Sequence, residues 1–135
     1  MFWTDWSENP KIEGASMDGE DRTTIIGSEH LQWPNAVAVD QALNRLYWID
    51  SGKVYIGSSN LDGTDLRKIV QSKTRSSFGL TVFESSIYWT QMFGKVYKAN
   101  KFDGSDRKEI RGAFFRSYAI QVNHLAAKPQ GNANI

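Results

Sequence analysis

The chain of 135 residues contains no cysteine. No disulfide framework holds it, and an absence of thiols by itself leans towards a reducing compartment. Long apolar runs are missing as well: none approaches the ~20 residues of a membrane span. The formal net charge is only +1, so the electrostatic footprint of a nucleic-acid binder is absent. No Asn-x-Ser/Thr acceptor occurs, because Asn9 is followed by Pro10-Lys11. Low-complexity tracts are lacking, and with 23% charged residues disorder is not expected. Met1-Phe2-Trp3-Thr4-Asp5 enters a strand pattern at once, unlike a signal peptide, and the chain reads as a piece of something longer.

Aromatic residues, by contrast, are plentiful. They make up 13% of the chain, with five Trp and five Tyr, and their flat amphipathic rings suit a pleated surface. Charge is unevenly placed: within residues 86–135 only Asp103, Asp106 and Glu109 oppose eight Lys and Arg. Such a basic stretch is an ordinary solvated face or a preference for an acidic partner.

Self-comparison exposes a repeat. Phe2-Trp3-Thr4-Asp5 recurs as Tyr47-Trp48-Ile49-Asp50 and Tyr88-Trp89-Thr90-Gln91. Met17-Asp18-Gly19 recurs as Leu61-Asp62-Gly63 and Phe102-Asp103-Gly104, each followed two residues on by a second aspartate (Asp21, Asp65, Asp106). A third register links Ala36–Val39, Gly79–Val82 and Ala119–Val122. The first two registers recur every 41–45 residues, and three phased copies do not arise by chance. Within a repeat, Ala36–Asp40, Arg45–Asp50, Lys53–Ile56 and Leu66–Val70 read as strands, with turns at Gln41–Asn44 and Asp62-Gly63. Asp-Gly suits a tight hairpin, since Gly accepts positive φ and Asp bonds the local backbone. Four short strands in such a period is the size of one β-propeller blade, and the segments lack helical periodicity.

These motifs resemble the YWTD, or class B, repeats of the low-density-lipoprotein receptor family, over about residues 2–125. The resemblance implies an all-β fold, a partial six-bladed YWTD propeller of about three blades of four antiparallel strands. Repeats would span roughly 2–44, 45–85 and 86–125. Residues 126–135 would be an exit linker towards an EGF-like module that is not present. The Ala36-type segment would be the innermost strand, and Ala119–His124 the last inner strand, so the chain would be the closing half of a ring. A stack of blades does not need disulfides, which weakens the compartment argument from cysteine. Open flanks would expose apolar blade faces, so the remaining blades of the ring or self-association are expected to cover them.

Under this reading Trp3, Trp48 and Trp89 are packing residues between blades. Asp5 and Asp50 should accept buried hydrogen bonds from the neighbouring strand, and Gln91 keeps an acceptor without the charge. Ligand contacts would come from loops at one mouth of the ring. Trp6, Ser51 and Met92 follow the Trp-x-Asp strands; Trp33-Pro34-Asn35, Ser76-Ser77-Phe78 and Arg116-Ser117-Tyr118 precede inner strands. Trp, Arg and Tyr are favoured interface anchors, which singles out Trp6, Trp33, Asn35, Phe78, Arg116 and Tyr118. Trp6 with Trp33 and Asn35 is similar to the stretch of Wnt co-receptor propellers that clamps Asn-x-Ile peptides. Pro34-Asn35 is equally a plain turn into the inner strand. Met92 stands where such a propeller would carry another Trp, and Ala36 replaces the usual Gly.

No nucleophile–base arrangement is present, and two histidines without cysteine make a poor metal set. No cofactor, metal or catalytic residue is therefore expected, and the chain reads as a non-enzyme. His30 and His124 are candidate acid sensors or inert surface residues. The paired aspartates lack the run and distal Glu of an EF-hand and read as hairpin turns. The expected function is that of an extracellular module binding secreted proteins or peptides, in an endocytic cargo receptor or a Wnt co-receptor. It would sit outside the cell membrane, attached only through a parent's transmembrane segment, or be secreted if part of a matrix protein. A matrix-bridging propeller and, less well supported, a six-bladed calcium-dependent hydrolase are the alternatives.

Overall fold

A computed structural model describes residues 1–73, 75–111 and 118–123. Arg116 and His124 lie outside these residues, as does the whole of the 126–135 linker. The described chain is all-β apart from one short 3-10 turn at Met92–Gly94. Three antiparallel sheets follow one another. The first holds β1 (Phe2–Asp5), β2 (Lys11–Gly14) and β3 (Thr23–Ile26). The second holds β4 (Pro34–Asp40), β5 (Arg45–Asp50), β6 (Tyr55–Asn60) and β7 (Arg67–Gln71). The third holds β8 (Ser77–Phe83), β9 (Ser86–Gln91), β10 (Lys95–Asn100) and β11 (Lys108–Arg111). Each sheet is a meander, and the sheets stack face to face as blades of a propeller, with β4 beside both β1 and β8.

Because the second sheet is sandwiched, β5 is buried on both faces, and its period-2 alternation sorts its residues between two cores. Trp48 points to the first sheet, packing with Ile12, Ile26, Leu31 and Tyr55. Tyr47 and Ile49 point the other way, joining Leu80, Ile87 and Trp89 of the third sheet. Trp48 and Trp89 are fully buried, whereas Trp3, with no sheet on its outer side among the described residues, is half-exposed. Removing a buried ring of this size costs about 3–5 kcal/mol.

The Asp-Gly turns repeat residue for residue. Asp18, Asp62 and Asp103 each accept the backbone N–H two residues on, at 3.0, 3.0 and 2.9 Å. Asp21, Asp65 and Asp106 all take left-handed φ near 53° (54, 52 and 53). Gly63 and Gly104 have positive φ and a second constraint: a Cβ on either would lie 2.2 or 2.1 Å from the carbonyl oxygen of Ile25 or Ile69 in the preceding sheet. Asp-Gly is therefore both the hairpin and the contact between blades.

Three expectations are corrected. The third strand of the second sheet begins at Tyr55 rather than Lys53 and runs on to Asn60. Lys53 is held in a turn by its N–H bond to Asp50 (2.8 Å), and Val54 adopts φ 62°. Gly57-Ser58-Ser59 has little strand propensity, yet Gly57 fits because the Trp48 ring lies where its Cβ would be, at 2.5 Å. The outer strand starts at Arg67 rather than Leu66. Finally, Tyr118–Asn123 carries no strand. It nevertheless passes close to β8, where a Cβ on Gly79 would lie 2.8 Å from Ala119.

Candidate functional site

The loops leaving β1, β5 and β9 and those entering β4 and β8 lie at one end of the stack. Asp50 organises the middle of this end. Its fully buried carboxylate accepts the backbone N–H groups of Gln32 (2.6 Å), Trp33 (3.1 Å) and Lys53 (2.8 Å). A charged acceptor for three otherwise buried donors fixes both flanking loops together. Gln91, at the matching place in the third sheet, donates through its Nε2 to the hydroxyls of Ser72 (3.3 Å) and Ser77 (3.1 Å). Asp5 is only half-buried, with the Lys11 ammonium 4.0 Å away. The buried network expected for it is absent among the described residues, because no inner strand precedes β1 there to offer amides like those of Gln32 and Trp33.

Trp33, so positioned, meets Trp6 edge to face with ring centroids 6.3 Å apart. Trp6 remains 67% exposed. The Arg75 guanidinium lies 5.0 Å from the Trp33 ring centroid, a cation–π contact from the loop entering β8. Asn35 is drawn into the scaffold: its Nδ2 donates to Ser51 Oγ (2.9 Å) and to the carbonyl of Ser77 (2.8 Å), and Ser51 Oγ donates to the same carbonyl (2.7 Å). This knot ties the second and third sheets. Its remaining amide oxygen has no partner among the described residues. Phe78 meets Tyr118 edge to face at 5.2 Å. A cleft of about 340 Å³ opens between the inner strands, lined by Trp3, Asn35, Phe78, Leu80 and Tyr118 among others.

The structure thus joins Trp6 to Trp33, Asn35 to Ser51, and Phe78 to Tyr118. Two contributors were not singled out in the sequence. Arg75 lies three residues before Phe78, and only its fold-back over Trp33 marks it. Phe93 is 67% exposed at φ 66°, strained for a bulky residue. The Phe93-Gly94 pair in a three-residue connection was its only signal. Met92 is half-buried. His30 is exposed; its backbone carbonyl accepts the Tyr55 hydroxyl at 2.9 Å, so the tie to the core comes from its main chain.

The family described as low-density lipoprotein receptor repeat class B matches residues 1–41 and 44–84. Vitellogenin receptor Yl of Drosophila melanogaster is 37% identical over 130 residues, covering 96% of this chain and 6% of that receptor. The vitellogenin receptor of Solenopsis invicta is 35% identical over 130 residues, 96% of this chain and 7% of its own length. The chain therefore spans a small fraction of these relatives. Among solved structures, one of a nidogen/laminin complex superposes with a TM-score of 0.74 at 29% identity, over 82% of this chain and 43% of that one. A luciferin-regenerating enzyme superposes at 0.57 with 17% identity, over 76% and 37% of the two chains; there the likeness concerns the fold alone.

Proposed function

This chain belongs to the low-density lipoprotein receptor class B repeat family, and from that premise we propose that it is a non-catalytic recognition module on the extracellular side of an endocytic receptor. The cargo this reading favours is a large secreted protein of the vitellogenin type, carried over from the relatives' names. The observation that supports it is the cluster of Trp6, Trp33 and Arg75, a partly exposed pair of indoles with a guanidinium laid on one of them. Rigid aromatic area and arginine are the commonest anchors of protein interfaces. Phe93 and Tyr118 add exposed rings at the same end of the stack.

The Wnt co-receptor reading fits less well. Clamping an asparagine by an amide–amide pair needs a donor and an acceptor from the same side chain, and both bonds made by the Asn35 NH2 group go to Ser51 and Ser77. Surface plasmon resonance with immobilised chain and purified vitellogenin as analyte tests the cargo reading. Trp6→Ala and Phe93→Ala, both at exposed side chains, should each weaken binding about tenfold or more. No saturable binding, or unchanged affinity in both variants, refutes it.

A further inference from the structure

At the opposite end of the blades from Trp6 and Trp33, the second and third sheets differ in a way that creates a pocket. The second sheet closes this end with Arg45. One guanidinium nitrogen donates to Asn60 Oδ1 (3.1 Å) and Asp65 Oδ2 (2.7 Å), the other to Ser58 Oγ (2.9 Å) and the Asp65 carbonyl (3.1 Å). The site around Arg45 is a set of acceptors.

Strand register carries this geometry to the third sheet. Arg45 pairs with Asn60 and Ser86 with Asn100, so Ser86 stands in Arg45's place. By the same register Lys98 replaces Ser58, and Lys108 replaces Arg67 opposite it. Asp106 keeps the place and left-handed φ of Asp65. With the long side chain gone, a cavity of about 430 Å³ opens, lined by Ser85, Ser86, Lys98, Asn100, Asp106 and Lys108, with Arg107 at its side.

The lining now holds mostly donors, with Asp106 the carboxylate that remains. A residue more, Lys101, lies between Asn100 and the Asp-Gly turn than lies after Asn60. In this longer turn Asn100 Oδ1 accepts the Phe102 N–H at 2.8 Å, and its NH2 group has no partner among the described residues. The Ser58 hydroxyl has become an ammonium. Lys98 and Lys108 face each other across β10 and β11, with no carboxylate within ion-pair distance of either among the described residues. Directly opposed like charges destabilise a sheet unless something neutralises them. In the second sheet Asp65 pairs with both Arg45 and Arg67.

Arg107 supplies field rather than a fork, because it lies over the Trp89 and Tyr97 rings (5.2 Å to each) and donates to the Gln71 carbonyl at 3.2 Å. The lining offers the Lys98 ammonium (5.6 Å from the Tyr88 ring centroid), the Lys108 ammonium, serine hydroxyls and the Asn100 amide, against the carboxylate of Asp106. Such point-charge and hydroxyl donors, without a guanidinium fork, suit a tetrahedral oxyanion, for which lysine serves as a point-charge partner. We propose that this pocket binds a sulfate or phosphate group, either the free ion or an ester on a larger ligand.

The test is a titration of the full chain at constant ionic strength, following the amide resonances of Ser86 and Asn100. Inorganic sulfate, inorganic phosphate, a sulfated oligosaccharide and acetate are added separately. Sulfate or phosphate should give saturable shifts that acetate does not. An oligosaccharide binding at least tenfold tighter than free sulfate assigns an ester-bearing ligand, and equal affinity assigns the ion. The variant S86R/K98S rebuilds the Arg45 arrangement and should fill the pocket, weakening binding at least tenfold while keeping the melting temperature. K98S/K108T changes only partly or fully exposed side chains and carries the test if the first variant does not fold. Absence of saturable shifts, an equal response to acetate, or undiminished binding in a folded variant overturns the proposal.

Discussion

Asp50 and Trp33 are joined by a 3.1 Å hydrogen bond from the Trp33 backbone N–H to a fully buried carboxylate, which also holds Gln32 and Lys53. The motif residue is thus the anchor of the loop that displays the Trp33 ring. Asp50→Ala strands those amides, and a lost hydrogen bond to a buried charged group costs about 1.5–3 kcal/mol. The expected loss is about 3 kcal/mol or more in urea denaturation. Asp50→Asn, which keeps one carbonyl acceptor, should lose about half as much.

Gly63 and Gly19 share a positive φ but not an environment. A Cβ at Gly19 meets nothing within 4 Å, whereas at Gly63 it would lie 2.2 Å from the Ile25 carbonyl oxygen. Gly19→Ala should cost about 1 kcal/mol, the backbone term alone. Gly63→Ala should cost about 2–4 kcal/mol, since the first and second sheets must part. Equal losses in thermal unfolding would remove the role assigned to the contact.

Lys101 and Asp40 form a buried ion pair between sheets, with side chains 7% and 6% exposed. Asp40 also accepts the N–H groups of Ala42 and Leu43, so its carboxylate stays fixed when its partner is lost. Lys101→Met should destabilise by about 3–5 kcal/mol, most of it the cost of an uncompensated buried charge. A double-mutant cycle with Asp40→Asn should show coupling well above that of an exposed pair such as Lys95–Glu109.

Acid should unfold the chain through its carboxylates. The bidentate hydrogen bonds from Arg22 (2.9 and 2.6 Å), chiefly, hold Glu13 below its ordinary value of 4.5 against the opposing effect of burial. Asp65 is likewise lowered by its hydrogen bonds to Arg67 and Arg45. A lowered folded pKa means that the unfolded chain takes up the proton first as pH falls. The stabilisation is present above about pH 4.5 and is lost as pH drops through the folded values. Urea midpoints measured from pH 6 to pH 3 should fall, and Arg22→Ala should flatten part of that slope. An unchanged slope would deny Glu13 the role.

The amino-acid sequence by itself determined the repeat, the strand–turn rhythm and the class of fold. Those depend on local signals: Trp-x-Asp spacing, Asp-Gly turns and period-2 alternation in short segments. It also marked Trp6, Trp33 and Asn35 as a group. Only the tertiary structure decided what each touches, because the deciding partners lie far along the chain. Asn35 meets Ser77, Arg75 covers Trp33, and Lys101 meets Asp40 only once blades stack. Gly57 is tolerated within a strand because the Trp48 ring occupies the space of a Cβ there, a constraint of packing that no local propensity encodes. The exchange of Arg45 for Ser86 was visible in the letters, but its consequence, a cavity lined mostly with donors beside Asp106, exists only where register brings Lys98, Asn100 and Lys108 around it.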